Sequence, residues 1–187
     1  CVGFVGFKRI YSRLIVSVSR VHNGLLACNV ASYCFVLSKS IVSTYKCIML
    51  HPSKLPKYRG GSPIQNQIIN GETLGAVSIF LMDDGIDTGP IIDQEEISLL
   101  GSLDDIFNRI ITIGSKLTIN FINNGYVLKT QDHSKATNFK RRKESDSEIL
   151  LDELVNKDST FLMNKIRMLQ DPYPEPYIKT CDGKRLI

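Results

Sequence analysis

The chain has 187 residues, of which 43% are hydrophobic and 22% are charged. This is the composition of an ordinary globular protein, and it excludes a wholly disordered or collagen-like chain. The net charge of +4 is too small to indicate nucleic-acid binding by itself. The length predicts one main domain with at most a small appendage.

The cysteines and the hydropathy pattern narrow the class of protein further. The five cysteines, at positions 1, 28, 34, 47 and 181, form no C-x-x-C pair. Their spacing argues against a zinc knuckle, and their odd number argues against a disulfide scaffold. A reducing cytoplasm is therefore the expected location, and we expect no membrane partner because no run of about 18 apolar residues is uninterrupted.

The first part of the chain gives few structural signals. Strand candidates are residues 14–18 and 32–37, which are rich in β-branched or aromatic side chains. No acidic residue precedes Glu72, and the chain begins with Cys1 instead of methionine. We interpret the start as a fragment boundary or a trimmed product. The missing acidic residues reflect either chance or an incomplete N-terminus, and the sequence leaves both open.

From residue 45 onward the elements are easier to predict. A short buried strand is expected at residues 45–50, and Pro52 ends it. Pro63 can begin a helix, whose apolar face recurs at helical spacing until Gly71. Two further strands are expected at residues 76–82 and 91–99, the first without clean alternation and therefore buried on both faces.

A longer helix follows these strands. Ser102 and Asp105 have the spacing of a capping box, and Gly125 follows the last apolar position. The residues expected on the buried face of this helix are Ile106, Ile110, Ile113, Leu117 and Phe121 or Ile122. The alternation of strands and helices predicts an α/β fold, with a mainly parallel sheet and flanking helices. A short final helix at 161–169 and a hairpin around Asp182 and Gly183 are expected at the end.

Two polar loops follow neighbouring predicted strands. His51 comes directly after one strand, and Asp87 lies between Gly85 and Gly89 after the next. In open α/β sheets, sites form beyond the carboxyl ends of strands. We therefore expect His51 and Asp87 to lie within hydrogen-bond reach or one water apart, where the carboxylate would orient the imidazole. By spacing alone, a structural histidine beside Pro52 remains the alternative.

Longer motifs surround these two residues. Residues 51–60 read HPSKLPKYRG and residues 82–92 read MDDGIDTGPII, while residues 63–64 and 70–72 continue the first motif. Together they closely resemble the signatures of the N10-formyltetrahydrofolate-dependent formyltransferases. That family includes the enzymes that formylate methionyl-tRNA, glycinamide ribonucleotide and amino sugar nucleotides. Residues 139–142, 166–167 and 171–174 resemble the tail of the larger members, so the resemblance covers roughly residues 44–180.

The resemblance implies a Rossmann-like fold and a set of site residues. His51 and Asp87 match the catalytic histidine and aspartate. The positions expected to bind N10-formyltetrahydrofolate, as co-substrate without a metal, are Ser53, Asp84, Gly85, Ile86 and Gly89. The positions expected to bind the acceptor are Arg59, Gly60, Gly61 and Pro63. The acceptor would be a primary amine, carried by an amino sugar nucleotide or by initiator methionyl-tRNA.

The implied domain division is a catalytic domain at 1–128, a linker at 129–148 and a small C-terminal extension at 149–187. The catalytic domain would be shortened, since the family places a full Rossmann-like half before the histidine and only 50 residues precede His51 here. The chain also ends early in the region where methionyl-tRNA enzymes carry a C-terminal barrel.

One departure concerns the chemistry directly. Met49 occupies the position of the family's asparagine, whose amide helps to hold the oxyanion. Methionine cannot donate a hydrogen bond, and loss of one oxyanion donor costs on the order of 10²–10³ in rate. Asn66 and Asn70 are the nearest amides that could replace it. The alternative to an active enzyme is therefore a degenerate fragment that retains only ligand binding.

Other polar segments have two interpretations each. The basic run 140–143 could contact RNA phosphates, or it could be a solvated linker balanced by the acidic residues of 144–148. Tyr173 and Tyr177 could stack on a base or sugar, or they could pack in a proline-rich turn. Asp83 and Asp84 have no third ligand nearby, so we expect no metal site there.

Overall fold

The computed structural model describes residues 18–21, 25–28 and 46–187. Within these residues the main sheet has five strands, which are β1 (Val18–Val21), β2 (Leu25–Cys28), β3 (Lys46–His51), β5 (Leu74–Leu81) and β6 (Ile91–Ser98). Their order across the sheet is β1-β2-β3-β5-β6. Two small sheets pair β4 (Arg59–Gly60) with β7 (Asn138–Phe139) and β8 (Ile178–Lys179) with β9 (Arg185–Leu186). The strand predicted at 32–37, and all of 14–18 except Val18, lie outside the described residues.

The helices begin and end largely where local signals place them. They are α1 (Pro63–Ile69), α2 (Leu103–Asn124), α3 (Leu151–Asn156) and α4 (Ser159–Arg167). Ser102 accepts the Asp105 N–H, and the Asp105 carboxylate accepts the Ser102 N–H, so the predicted capping box of α2 is confirmed. Gly125 ends that helix with φ +71°. Among these described helices, none is long and apolar enough to span a membrane.

The direction of the strands corrects the prediction of a mainly parallel sheet. Within the described part of the main sheet, β2 and β3 run parallel, whereas the pairs β1–β2, β3–β5 and β5–β6 are antiparallel. The reason is visible between β5 and β6, which are joined by residues 82–90 alone. A parallel pair needs a crossover of about a dozen residues or more, so this loop can join only antiparallel neighbours. The expected sheet covered by helices is otherwise confirmed.

The core lies between this sheet and α2. The predicted face of α2 is buried at Ile106, Ile110, Leu117 and Phe121, with Ile113 partly buried. These side chains share one cluster with apolar residues of β3, β5 and β6 and with Met168 and Leu169 after α4. Gly114 permits the close approach of α2, because a Cβ there would lie 2.2 Å from Cδ1 of Leu50. The core therefore fixes the strand that carries His51.

The later part of the chain returns to the main body. The β4–β7 pair is parallel, and Ile91 bridges to Lys129. The predicted hairpin is confirmed as β8 and β9, and the predicted final helix as α4, whereas α3 was not predicted. Residues 129–148 thus make specific backbone contacts with the body, and the division at 128 and 148 stays a prediction.

Candidate active site

His51 is the last residue of β3 and is only 5% exposed. Its Nε2 lies 2.8 Å from the carbonyl oxygen of Tyr58, so this nitrogen carries a proton and donates it. The bond holds the ring against the loop that follows the strand. The strand was expected to end just before His51. It continues one residue further, so that His51 is its last residue.

Asp87 lies in the loop between β5 and β6 and is also buried. Its Oδ2 accepts the Gly60 N–H at 2.7 Å and lies 3.5 Å from Nδ1 of His51. The predicted proximity of His51 and Asp87 is therefore confirmed. Asp87 has φ +55°, and Gly89 is required two residues later, because a Cβ there would lie 1.7 Å from the Leu81 carbonyl oxygen.

This pair can hold and move a proton. Because Nε2 of His51 donates to Tyr58, Nδ1 of the neutral ring is an acceptor and faces a carboxylate oxygen. When Nδ1 takes up a proton, the ring becomes an imidazolium that can donate to Asp87. The pair thus places an acceptor nitrogen beside a carboxylate oxygen, which is the arrangement that general acid–base catalysis needs.

A cavity of about 490 Å³ opens beside the two side chains. Three of the predicted acceptor-binding residues, Gly60, Gly61 and Pro63, line it together with His51 and Asp87. Its remaining walls include an apolar group and a basic group. These are Phe107, Ile110, Leu169, Pro172, Tyr173 and Pro174 on the apolar side and Arg141, Arg142 and Lys143 on the basic side.

The basic run lies partly at this wall: Arg141, Arg142 and Lys143 line the cavity, while Lys140, Arg141 and Lys143 are exposed to solvent. Residues 141–143 reach the cavity because the chain passes tightly over Gly61, where a Cβ would lie 2.3 Å from the Arg141 Cα. The Arg142 N–H donates to Ser62 Oγ at 3.1 Å, and the Arg142 side chain donates to the Asp146 carbonyl. Three cations therefore stand at the rim of a cavity that contains His51.

Arg59, predicted to bind the acceptor, is not among the described residues that line this cavity. It is 3% exposed, and its Nε and Nη2 donate to Oε1 of Gln131 at 3.1 and 2.6 Å. Nη2 also lies 3.2 Å from Nδ1 of His133. This position has a simple physical reason: a buried guanidinium needs fixed acceptors, and Arg59 finds them inside the protein. The role of Arg59 toward the acceptor stays a prediction.

Gln131 links Arg59 to the loop that carries Asp87. Its Nε2 donates to the carbonyl oxygens of Asp87 and Gly89, at 2.9 and 2.6 Å, and the residue is 4% exposed. Gln131 thereby fixes the backbone on both sides of Thr88. Sequence reasoning missed it, since a single glutamine in a polar stretch carries no local signal of such a contact.

The predicted folate-binding residues lie elsewhere. Asp84, Gly85 and Ile86 are exposed on the loop that carries Asp87, whereas Gly89 is buried in its turn. Ser53 is buried and donates to the Lys57 carbonyl at 2.7 Å. The described residues that line the cavity include none of these five, so their role stays a prediction.

Met49 lines the cavity and packs against the small cluster of Leu55, Phe80 and Ile91. Neither suggested replacement for an asparagine amide is among the described residues that line the cavity. Asn66 Nδ2 donates to the Gly61 carbonyl at 3.0 Å, and Asn70 Nδ2 donates to the Tyr58 hydroxyl at 3.4 Å.

Burial raises the pKa of Tyr58, and the hydrogen bond from Asn70 opposes that rise. Glu72 accepts from the Tyr58 hydroxyl at 3.0 Å and raises the pKa further.

Metal ligands are not grouped in the described residues, where no three His, Cys, Asp or Glu side chains lie close enough to hold an ion.

Comparison with known proteins identifies what this arrangement resembles. The family model described as formyl transferase matches residues 18–122. A methionyl-tRNA formyltransferase from Campylobacter lari is 39% identical over 126 residues, which are 66% of this chain and 42% of that protein. The chain spans less than half the length of this relative.

Solved structures give the same picture of the fold. A methionyl-tRNA formyltransferase from Clostridium thermocellum superposes with a TM-score of 0.74 at 29% identity, over 86% of this chain and 74% of that one. A sugar N-formyltransferase from a Shewanella species gives 0.72 at 20% identity, over 88% and 68%. HypX from Aquifex aeolicus, in complex with tetrahydrofolic acid, gives 0.66 at 14% identity, over 87% and 28%. The architecture common to them is a Rossmann-like α/β fold.

Proposed function

The chain belongs to the formyl transferase family, and on that premise we propose that it transfers a formyl group from N10-formyltetrahydrofolate to a primary amine. The observation that carries the proposal is the buried pair of His51 and Asp87 at the wall of one cavity. A proton must leave the amine as it is acylated, and this pair is built to take one up.

The residues around the cavity have separate roles in the proposed transfer. When bound, the folate supplies the activated formyl carbon. His51 would accept the proton of the attacking amine and pass it to the folate nitrogen from which the formyl group leaves, and Asp87 would stabilise the intervening imidazolium across the 3.5 Å gap. Gly60 holds the carboxylate in place through its N–H, and Gln131 holds the loop backbone. The burial of both side chains strengthens these electrostatic contacts, because little water screens them.

The folate and the amine would approach the pair from different sides. The side chain of Ile86 is 67% exposed next to Asp87, and it offers an apolar surface for a flat ring. Asp84 and the N–H groups of the same exposed loop are polar partners for the edge of that ring. The residues present therefore fit a folate, and HypX, which has the same architecture, was solved with tetrahydrofolic acid.

The cavity on the other side suits an acceptor that carries phosphate. Arg141, Arg142 and Lys143 provide positive charge, and Tyr173 between two prolines provides a flat apolar wall. Amino sugar nucleotides and initiator methionyl-tRNA both combine a primary amine with phosphate. Relatives and structural neighbours are named for each class of acceptor.

A second candidate function is ligand binding without turnover. The observation that favours it is Met49, which lines the cavity where the family has an amide donor. Binding would then survive, because an oxyanion donor acts on charge that develops in the transition state.

The test is a formyl-transfer assay on the full chain. N10-formyltetrahydrofolate is mixed with methionyl-tRNA or with an amino sugar nucleotide, and formylated product is measured by mass spectrometry. We expect product with one acceptor and a loss of at least about 100-fold in His51→Asn. Binding of tetrahydrofolate without product from either acceptor would favour the second candidate.

A further inference from the structure

Gln65 is an unusual buried residue in the same cavity. It lies in the first turn of α1, is 3% exposed, and lines the cavity two residues after Pro63. Its side-chain amide makes no hydrogen bond with the protein in the described structure. Its side-chain nitrogen and oxygen are not among the described buried atoms that lack a hydrogen-bond partner, so the amide is accessible from the cavity.

The neighbouring amides of α1 show the normal behaviour. Gln67 Nε2 donates to the carbonyl oxygens of Pro52 and Pro63 at 2.8 and 2.9 Å, and Asn66 donates to the Gly61 carbonyl. Buried polar side chains nearly always have such partners, and each exception calls for a specific explanation. The exception here faces a space that also contains His51 and Asp87.

We propose that the side-chain amide of Gln65 binds the amine acceptor and helps to determine which acceptor is used. This inference rests on the proposed function. An amide both donates and accepts, so it fits an uncharged polar group such as a hydroxyl or a carbonyl oxygen. The cations of 141–143 fit the phosphate, and the two contacts together would set the distance between phosphate and amine.

Both classes of acceptor carry a suitable group. In an amino sugar nucleotide it is a sugar hydroxyl beside the amine, and in methionyl-tRNA it is the ester carbonyl beside the amine. Assaying the parent chain with each acceptor shows whether the group bound by Gln65 is the sugar hydroxyl or the ester carbonyl. The kinetic comparison below then uses the acceptor that the parent formylates.

The first measurement is the thermal melting of the full chain without ligand. Gln65→Met keeps the length of the side chain and removes the amide, and Gln67→Met is the matched control in the same helix. We expect Gln65→Met to melt at or above the parent temperature, because it removes a polar group with no partner. Gln67→Met should melt lower, since two backbone carbonyls lose the Gln67 side-chain amide as a partner. Equal losses in both variants would overturn the proposal.

The second measurement separates binding of the acceptor from chemistry. Gln65→Met should raise the KM for the acceptor by about threefold to tenfold, while kcat and the Kd for tetrahydrofolate remain within about twofold. Gln65→Asn, which retains an amide on a shorter stem, should recover part of the loss. An unchanged KM for the acceptor would overturn the proposal alone. A parent that neither binds nor formylates either acceptor would overturn this proposal and the proposed function together.

Discussion

The carboxylate of Asp87 is held more tightly by the backbone of Gly60 than by the ring of His51. Its Oδ2 lies 2.7 Å from the Gly60 nitrogen and 3.5 Å from His51 Nδ1. The carboxylate is therefore fixed in position before the ring is protonated. A fixed group of opposite charge stabilises the imidazolium without reorganisation, and this is the property that makes such groups effective in catalysis.

The first prediction concerns Asp87→Asn. The amide oxygen can still accept the Gly60 N–H, so the loop should keep its shape, but the negative charge that stabilises protonated His51 is lost. We expect kcat to fall by at least about 100-fold, with the melting temperature nearly unchanged. Asp93→Asn, an exposed aspartate on β6, is the control and should keep full activity. A kcat within threefold of the parent would exclude Asp87 from the chemistry.

The second prediction concerns the contact between Gln131 and the loop that carries Asp87. Gln131→Leu leaves the carbonyls of Asp87 and Gly89 and the guanidinium of Arg59 without this partner. We expect the free energy of unfolding to fall by about 3 kcal/mol or more, which corresponds to a melting temperature lower by roughly 6–12 °C.

The control for this loss is Gln170→Leu, which changes an exposed glutamine and should melt like the parent. Calorimetry of both variants and the parent measures the three melting temperatures. If Gln131→Leu melts within 2 °C of the parent, the hydrogen bonds of Gln131 contribute little to the position of the loop.

The third prediction concerns Met49. If the chain binds folate and acceptor, Met49→Asn restores an amide at the cavity wall and should raise kcat on the order of 10²-fold. The affinity for tetrahydrofolate should change little, because the donor acts on charge present only in the transition state. Methionine also packs against Leu55 and Phe80, so the melting temperature of both forms must be compared. Equal kcat at a matched folded fraction would show that position 49 is not the missing donor.

The fourth prediction concerns the ion pair of Lys165 and Glu153. Lys165 is 3% exposed and donates to both carboxylate oxygens of Glu153, at 2.8 and 2.6 Å, and to the Glu148 carbonyl at 2.6 Å. Lys165→Met should destabilise the chain by about 3 kcal/mol, since the carboxylate and carbonyl lose their common partner. Lys57→Met, at an exposed lysine, serves as the control in urea unfolding.

The fifth prediction concerns acid stability at Asp132. Hydrogen bonds from Lys135 and Ser134 lower the pKa of Asp132 to about 2. A lowered pKa in the folded state means that the ionised carboxylate stabilises the fold at pH values above its usual pKa, and this stabilisation is lost as the pH falls toward 2. The carboxyl carbon should titrate near pH 2 in NMR spectra. The stability difference between the parent and Asp132→Asn should shrink over the same range, and a titration near pH 4 would contradict the assignment.

Signals within a few residues predicted much of this fold. Ser102 with Asp105 and Gly125 mark the ends of α2, and β6 follows from its own composition. The direction of β3 against β5 has no local signal, because it depends on how the intervening segment packs. Helix α3 was missed for a related reason: Leu151 and Val155 are 75% and 73% exposed, so no apolar face of that helix meets the core.

In the candidate site too, some contacts have a local sequence signal and others do not. His51 and Asp87 follow from loops at strand ends and from the family motifs, and the structure places them together. Arg59 belongs to the same motif but is buried with Gln131, which lies 72 residues away in the chain. Contacts of that range depend on the complete fold, and one sequence does not reveal them. Gln65 belongs to neither group, because its significance is the absence of a partner.

The parallel pairing of β4 with β7 also bears on the order of events during synthesis. It joins Arg59 to Asn138, and the wall opposite His51 is completed by Tyr173 and Pro174. A nascent chain that has left the ribosome only as far as the end of α2 contains His51 and Asp87 but lacks the basic and aromatic walls of the cavity. The ribosome must release the chain as far as Pro174 before the cavity can close, so translation itself delays the first moment at which an acceptor can be held.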